Sequence, residues 1–141
     1  MSIWRNVATI EELQERARNT LIEQLGIRFT EIGPDFVRAS MPVDTRTHQP
    51  MGVLHGGASV ALAETVGSTA ANLCVDPARE LCLGQEINAN HLRPVYAGQV
   101  TATARPLHRG NRSQVWQIEI RDEQERLVCV SRLTMAVVAA K

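Results

Sequence analysis

The residues best suited to chemistry lie close together, in the stretch from Gln49 to Ser68. A polar loop that carries Gln49 and His55 runs into the diglycine Gly56-Gly57, and small and apolar residues follow it. Glu64 is the only carboxylate in this stretch. Burying an unpaired carboxylate costs several kcal/mol, so this side chain needs a partner or a catalytic role.

A helix is predicted to carry Glu64. At about 3.6 residues per turn, one stripe of this helix holds Gly57, Val60, Glu64, Ser68 and Ala71. Ser68 would follow Glu64 by one turn, which puts a hydroxyl beside the carboxylate. Small and apolar residues occur on every side of the helix, which predicts that other elements surround it.

The start of this helix could polarise a carbonyl group. Its first backbone N–H groups have no partner within the helix and lie at the positive end of the helix dipole. A substrate carbonyl bound at the Gly56 N–H would need a nucleophile or base nearby, which Glu64 of the same chain or of a second copy could supply. The combination predicts acyl transfer to water. A thioester fits best, because its thiolate leaves without strong acid assistance.

The other elements are predicted from hydrophobic periodicity and turn residues. Thr9 and Glu12 match a capping box, and apolar spacing predicts one helix over residues 10–25, ended by Gly26. A hairpin is predicted around Gly33-Pro34-Asp35, and four strands follow the central helix. The first of these, residues 81–92, is predicted to alternate through Leu81, Leu83, Gln85, Ile87 and Ala89. The other three contain Val100, Trp116 and Leu127 and form an antiparallel meander.

The order of elements is therefore a helix, two strands, a surrounded helix and four strands. A long helix with apolar residues on every side is best satisfied by a curved antiparallel sheet wrapped around it. The sequence thus predicts an α+β hotdog fold, in a single domain that spans residues 1–141.

Composition argues against several classes of function. The chain has 15 basic and 15 acidic residues, so it lacks the basic excess of a nucleic-acid-binding protein. Cys74, Cys82 and Cys129 lack CxxC spacing and are predicted to be core residues in a reducing compartment. Neither a metal-ligand spacing nor a dinucleotide motif occurs, and no signal peptide or membrane-length apolar run is present. We expect a cytoplasmic protein that uses no metal or cofactor and binds neither membrane nor nucleic acid.

Several motifs are shared with a known family. They are Gln49, His55-Gly56-Gly57-Ala58-Ser59, Ala63-Glu64, Ser68, Glu86–His91 and Pro106–Gly110. With the ungapped run from Met41 to Pro50, they make the chain resemble the hotdog-fold acyl-CoA thioesterases from roughly Ile3 to Val138. Within that family it is most similar to the 1,4-dihydroxy-2-naphthoyl-CoA hydrolases of menaquinone synthesis and the proofreading thioesterases of enterobactin synthesis.

The resemblance implies a role for each residue of the stretch. Glu64 matches the catalytic carboxylate, which acts as nucleophile or as general base on water, and Gly56 matches the residue whose N–H polarises the thioester carbonyl. Gln49 and His55 match residues that position the thioester and the departing thiol, and Ser68 matches one that orients the carboxylate or water. The family's active site lies across a subunit interface, commonly in a homotetramer of two dimers, so Glu64 is expected to face a second copy.

A second group of residues is predicted to bind the nucleotide end of coenzyme A. It comprises His91, Arg93, His108, Arg109, Gly110 and Arg112, at predicted strand ends and in a turn. Arginine side chains suit phosphate oxygens, and the resemblance points to the same role for most members of the group. The substrate that the resemblance implies is an acyl-CoA, in particular an aryl-CoA, or an acyl or aryl carrier protein.

Three alternatives stay open at this point. A hotdog hydratase or dehydratase would use the same fold for proton transfer at the acyl chain, without thiol release. A non-catalytic acyl-CoA binding module would use Glu64 as a structural partner only. His55 could serve merely as the capping residue of the central helix, with its ring satisfied by the backbone.

Overall fold

The computed structural model describes all 141 residues and confirms the curved antiparallel sheet of the hotdog fold. The strands are β1 (Arg28–Ile32), β2 (Val37–Pro42), β3 (Glu80–His91), β4 (Gln99–Arg109), β5 (Ser113–Arg121) and β6 (Leu127–Ala139). They form one sheet in the order β1-β2-β4-β5-β6-β3, and every pairing is antiparallel. The long helix α3 (Gly56–Leu73) packs against five of the six strands, β2 to β6.

The side of α3 that faces the sheet is built for close approach. A Cβ atom on Gly67 would lie 2.7 Å from Cδ2 of Leu133 and 3.3 Å from Cδ1 of Ile118. Only a thin helix can therefore pack at this distance, as its small residues predict. The alternation predicted for the meander is also confirmed, because its inward side chains are fully buried: Val100, Ala102, Ala104, Trp116, Ile118 and Ile120.

The other side of α3 is not covered within the chain. A stripe of half-buried residues runs along it, which we call the open stripe: Val60, Ala61, Glu64, Thr65, Ser68, Thr69 and Asn72. The expectation that the helix is surrounded is therefore wrong for a single chain. Ala71 was predicted to share the stripe of Glu64 but is fully buried, because the sheet side of the helix reaches it.

The predicted N-terminal helix is interrupted. Its capping box is confirmed, since Thr9 and Glu12 exchange hydrogen bonds at the start of α1 (Ile10–Arg16). Asn19 then adopts a φ of 60°, which no helix tolerates, and Thr20 caps a second short helix, α2 (Leu21–Gln24). One helix over residues 10–25 is thus wrong, although Gly26 ends the segment as predicted, with a φ of 72°.

Strand β3 departs from the predicted alternation. A bulge between Gly84 and Glu86 shifts its register against β6, so the apolar face changes from Cys82, which is buried, to Ile87, which is half-buried. Leu83, predicted to share the face of Ile87, is 54% exposed. The physical reason is the extra residue of the bulge, because it moves every later side chain of the strand to the opposite face of the sheet.

Strand β3 also lies at an edge of the sheet. The Asn72 side chain covers the beginning of that edge, because it accepts from the Cys82 N–H at 2.9 Å and donates to the Cys82 carbonyl at 3.1 Å. The rest of the strand, Leu83–His91, has no neighbour on that side, and we call it the free edge. An uncovered edge of this length is a template for pairing with another strand.

The remaining features concern the chain's core and helices. Trp4 stacks on the buried Trp116, with ring centroids 6.3 Å apart, and ties the N-terminal segment to the core. Cys74, Cys82 and Cys129 are free and buried, as predicted. None of the helices combines the length and the apolar character that a membrane crossing requires.

Candidate active site

The loop before α3 fixes the start of the helix. His55 is the N-cap residue, and its Nδ1 accepts a hydrogen bond of 2.8 Å from the Gly57 N–H. Its carbonyl accepts from Ala58 and Ser59. The capping role of His55 is therefore confirmed. Because Nδ1 is an acceptor, the neutral ring carries its hydrogen on Nε2, which leaves a donor for a ligand.

The Gly56 N–H is free for a substrate. It has no hydrogen-bond partner in the chain, whereas the next three N–H groups are all bonded to His55. The His91 ring packs over Gly56, and a Cβ atom at this position would lie 2.9 Å from His91 Nε2. A glycine is thus needed where the ring and the helix start meet.

A cleft of about 340 Å³ opens at this end of the helix. Its polar wall is formed by Gly56, Ser59, His91 and Arg93. Its apolar wall is formed by Leu54, Leu92 and Val128. An arginine and a histidine are among these polar residues, and we call this the cationic cleft. An elongated ligand with a negatively charged end could lie here.

Gln49 belongs to a tight turn that comes shortly before Leu54 and Gly56 of the cationic cleft in the sequence. Its carbonyl accepts from the Gly52 N–H at 2.9 Å, its own N–H donates to the Val53 carbonyl at 2.9 Å, and its side-chain oxygen accepts from the Met51 N–H. Gly52 has a φ of 77°, which favours glycine at the turn. The tip of the turn projects Met51, which is 82% exposed.

Glu64 lies in the middle of the open stripe, against the bulge of β3. A Cβ atom on Gly84 would collide with Oε2 of Glu64, so the carboxylate occupies the space that a side chain would fill. None of the chain's ion pairs includes Glu64. The predictions missed Gly84, although a glycine inside a strand pattern signals a bulge or a close approach.

Ser68 follows Glu64 by one turn of α3, as predicted. Its carbonyl accepts from the Asn72 side chain at 2.9 Å, and the residue is half-buried. Ser68 also borders a recess between α3 and the helices α1 and α2. A hydroxyl and a carboxylate thus share the uncovered side of the helix.

One chain does not unite the predicted catalytic residues. Gly56 and Glu64 are eight residues apart on α3, which corresponds to about 12 Å along the helix axis. Gln49 and His55 lie with Gly56 at one end, and Ser68 lies still farther along the helix. The donor and the carboxylate are therefore too far apart to act on one carbonyl group within a single chain.

The predicted coenzyme A group is likewise divided in two. His91 and Arg93 line the cationic cleft. The other four members lie together elsewhere, at the end of β4 (His108 and Arg109) and in the turn that leads to β5 (Gly110 and Arg112). Ser113 and Leu83 both pair with Ala136, so this turn lies beside the other end of β3. His91 lies eight residues beyond Leu83 along the strand, which corresponds to about 26 Å between the two ends.

The cysteines offer no nucleophile to this site at neutral pH. Burial raises the pKa of the Cys74 thiol to about 11, although the nearby Arg109 guanidinium acts in the opposite direction. Burial likewise raises the pKa of Cys82 to about 11 and raises the pKa of Cys129. Since the thiolate is the reactive form, these residues are core residues rather than catalytic ones. No group of three or more acidic, histidine or cysteine side chains is arranged to hold a metal ion.

Comparison with known proteins leads to the same chemistry. Residues 51–129 match the thioesterase superfamily. The chain is 51% identical to 1,4-dihydroxy-2-naphthoyl-CoA hydrolase from Escherichia coli (strain K12) and 52% identical to the proofreading thioesterase EntH from Cronobacter turicensis, in each case over 135 residues that cover 96% of this chain and 98% of the relative. A crystal structure of a thioesterase from Haemophilus influenzae superposes with a TM-score of 0.95 at 51% identity, over 97% of this chain and 95% of that one. The chain therefore belongs to the thioesterase superfamily of hotdog-fold proteins and is a thioester hydrolase.

Proposed function

We propose that the chain hydrolyses acyl-CoA or acyl-carrier-protein thioesters at sites that two copies form together. One observation carries this proposal. The unpartnered Gly56 N–H and the unpaired Glu64 carboxylate are the two groups that thioester hydrolysis needs, yet about 12 Å separates them along α3. A second copy must supply one of the two groups.

The free edge of β3 supplies a way to join the copies. In the proposed dimer, Leu83–His91 of one copy pairs antiparallel with the same segment of the other copy, and the twofold axis passes at Ile87. This pairing sets His91 of one copy opposite Leu83 of the other. His91 packs on Gly56, and Gly84 packs on Glu64. The pairing thus brings the Gly56 N–H of one copy towards the Glu64 carboxylate of the other.

The same pairing would reunite the predicted coenzyme A group. The end of β3 with His91 and Arg93 would lie next to the other copy's turn with Arg109 and Arg112. Guanidinium groups from two chains would then surround the negatively charged phosphates of coenzyme A. A tetramer of two such dimers stays a prediction.

The proposed mechanism uses each group once. The thioester oxygen accepts from the Gly56 N–H at the helix start, which stabilises the developing oxyanion by about 3 kcal/mol. Glu64 of the other copy either removes a proton from the attacking water or bonds to the carbonyl carbon itself, forming an anhydride that water then cleaves. The carbon–sulfur bond breaks, its electron pair leaves with sulfur, and His55 can donate its Nε2 hydrogen to that sulfur. Gln49 positions the thioester, and Ser68 orients the carboxylate or the water.

An aryl-CoA is the substrate that we propose in particular. Its support is the identity of 51% and 52% to relatives named 1,4-dihydroxy-2-naphthoyl-CoA hydrolase and proofreading thioesterase EntH. A comparison of kcat/KM for aromatic acyl-CoAs, aliphatic acyl-CoAs and an aryl carrier protein tests this choice. Higher values for the aliphatic substrates would contradict it.

Thiol release by a Glu64→Ala variant tests the role of the carboxylate. We expect kcat/KM to fall about 10²- to 10⁴-fold, because a general base or nucleophile is removed. Glu11→Ala is the matched control, since Glu11 is exposed on α1, and its activity should equal that of the unsubstituted chain. Equal turnover by Glu64→Ala and the control would overturn the proposal.

A mixed dimer tests the two-copy site directly. Glu64→Ala lacks the carboxylate, and Gly56→Val lacks the free helix start, because a side chain there meets the His91 ring. Each variant should be inactive by itself. A heterodimer, purified through two different tags, contains one intact site and should show about half the activity of the unsubstituted dimer. An inactive heterodimer would contradict the shared site.

A further inference from the structure

A buried serine in the wall of the cationic cleft has a hydroxyl group without a partner. Ser59 is 2% exposed, and its side chain takes part in no hydrogen bond within the chain. Every side-chain oxygen or nitrogen that is sealed from solvent does have a hydrogen-bond partner. The Ser59 oxygen is therefore not sealed, and it opens into the cleft that the residue lines.

The helix itself does not use this hydroxyl. Serine and threonine inside a helix commonly donate to the carbonyl four residues earlier, as Thr65 does to Ala61 at 2.7 Å. For Ser59 that carbonyl belongs to His55, and it accepts from the backbone N–H groups of Ala58 and Ser59 instead. Serine also forms helices less well than alanine. The hydroxyl thus adds nothing to the helix and is left to act on a ligand.

The direction of the Ser59 side chain places it beside the Gly56 N–H. Residues three apart on a helix are neighbours on one face, and side chains tilt towards the N-terminal end. Ser59 follows Gly56 by three residues, and both line the cationic cleft. His55 accepts from the next three N–H groups, so that of Gly56 is the one unused backbone donor at the helix start. Two unused donors, an N–H and a hydroxyl, therefore meet here.

We propose that the Ser59 hydroxyl donates a second hydrogen bond to the thioester carbonyl oxygen, beside the bond from the Gly56 N–H. The proposal rests on the function proposed above, because it takes Gly56 as the position of that oxygen. Donors that the fold holds in place stabilise a developing oxyanion without reorganisation, and water competes least with a buried donor. Ser59 meets this condition, whereas the other polar side chains of the cleft, His91 and Arg93, are exposed. Ser59 is thus a further catalytic residue.

Steady-state kinetics of Ser59→Ala with benzoyl-CoA test this role. We expect kcat for thiol release to fall about 10²-fold with KM nearly unchanged, because an oxyanion donor acts mainly in the transition state. Ser40→Ala is the matched control, since it removes a hydroxyl from β2, far from α3 in the sequence, and should keep full activity. Equal kcat in the two variants would overturn the proposal. A higher KM with unchanged kcat would also overturn it, since the hydroxyl would then act in binding alone.

The stability of the same variant separates a catalytic role from a structural one. Because the hydroxyl has no partner in the chain and alanine forms helices better, the thermal midpoint of Ser59→Ala should equal or exceed that of the unsubstituted chain. Thermal unfolding followed by circular dichroism measures it. A lower midpoint would contradict the proposal, because it would show that the hydroxyl stabilises the fold.

The carbonyl stretching frequency of a bound substrate tests the contact directly. Benzoyl-CoA with a ¹³C-labelled thioester carbonyl is bound to Glu64→Ala, which should not consume it, and to the double variant Glu64→Ala, Ser59→Ala. Each hydrogen bond to the oxygen lowers the infrared frequency, so we expect a higher frequency in the double variant. Equal frequencies would overturn the Ser59 contact while leaving the proposed thioesterase site intact. No thiol release from any thioester by the unsubstituted chain would instead overturn the proposed function, and the role of Ser59 with it.

Discussion

The two sides of α3 differ in what they contain and in what covers them. The sheet side has buried small residues, among them Ala63, Gly67 and Ala70, and no charged group. The open stripe has Glu64, Ser68 and Thr69, all half-buried. The sheet side holds the helix at a fixed distance from the strands, and the open stripe leaves its polar groups uncovered within the chain. The two opposite faces of α3 thus differ in kind, since one packs against the sheet and the other carries the polar groups.

Enlarging Gly84 should break the chemistry without breaking the fold. In Gly84→Val, the new side chain occupies the position of the Glu64 carboxylate, and displacement of a catalytic group by about 1 Å can cost about 10²-fold in rate. Valine suits a strand, so the thermal midpoint should not fall. The measurement is kcat for thiol release together with thermal unfolding. Leu83→Val, on the same edge, is the control, and full activity in Gly84→Val would show that the carboxylate need not lie against β3.

Enlarging Gly67 should have the opposite outcome. In Gly67→Val, the side chain meets Leu133 and Ile118 in the core, and overpacking of this kind costs about 1–3 kcal/mol in the free energy of unfolding. Activity per folded molecule should be kept at low temperature. Urea unfolding measures the loss, with Ala61→Val on the open stripe as the control. A midpoint equal to that of the control would mean that the sheet side has room to spare.

Asn72 lies where the two sides meet, at the end of the open stripe. Its side chain makes three hydrogen bonds, to Ser68 and to both backbone groups of Cys82. Asn72→Ala should lower the free energy of unfolding by about 1–2 kcal/mol, because it removes these bonds and uncovers the Cys82 backbone. Urea unfolding checks the value. An unchanged midpoint would indicate that water replaces the amide without loss.

The buried thiols at the sheet side make stability depend on pH only under alkaline conditions. The folded-state pKa values of Cys74 and Cys82 are raised to about 11 by burial, above the ordinary value of 9.0. The folded chain therefore holds these protons more tightly than the unfolded chain. This stability is fully present below about pH 9 and is lost as the pH rises towards 11. Urea midpoints between pH 7 and 11 test this, and a Cys74→Ala, Cys82→Ala double variant should show a smaller decline.

Most of the fold could be predicted because its signals are local. The alternation through Val100 and Trp116 and the helical spacing in α3 each reflect one apolar face. The break at Asn19 could not be found in this way. The apolar spacing continues through α1 and α2, although the helical conformation of the backbone is interrupted between them. The bulge at Gly84 inverts the faces of β3, and only the glycine itself hints at it.

The sequence supplied candidate site residues, whose roles stay predictions, but it could not supply their geometry. Sequence spacing cannot distinguish an apolar residue in the core from one on an uncovered face, so the apolar Val60 and Ala61 led to the prediction that α3 is surrounded. The cationic residues were predicted to form one group because all of them were expected at strand ends or in a turn. Only the strand pairings reveal that His91 lies at one end of β3, whereas Arg109, at the end of β4, lies towards the other end of β3, where Leu83 is.

The free edge of β3 also has a consequence for how activity varies with protein concentration. If each site needs Gly56 from one copy and Glu64 from another, a dissociated chain has no complete site at all. Activity per milligram should therefore stay constant at high concentration and fall once dilution passes the dissociation constant of the pair. Unlike an enzyme whose site lies within one chain, this one should recover its lost activity when it is concentrated again.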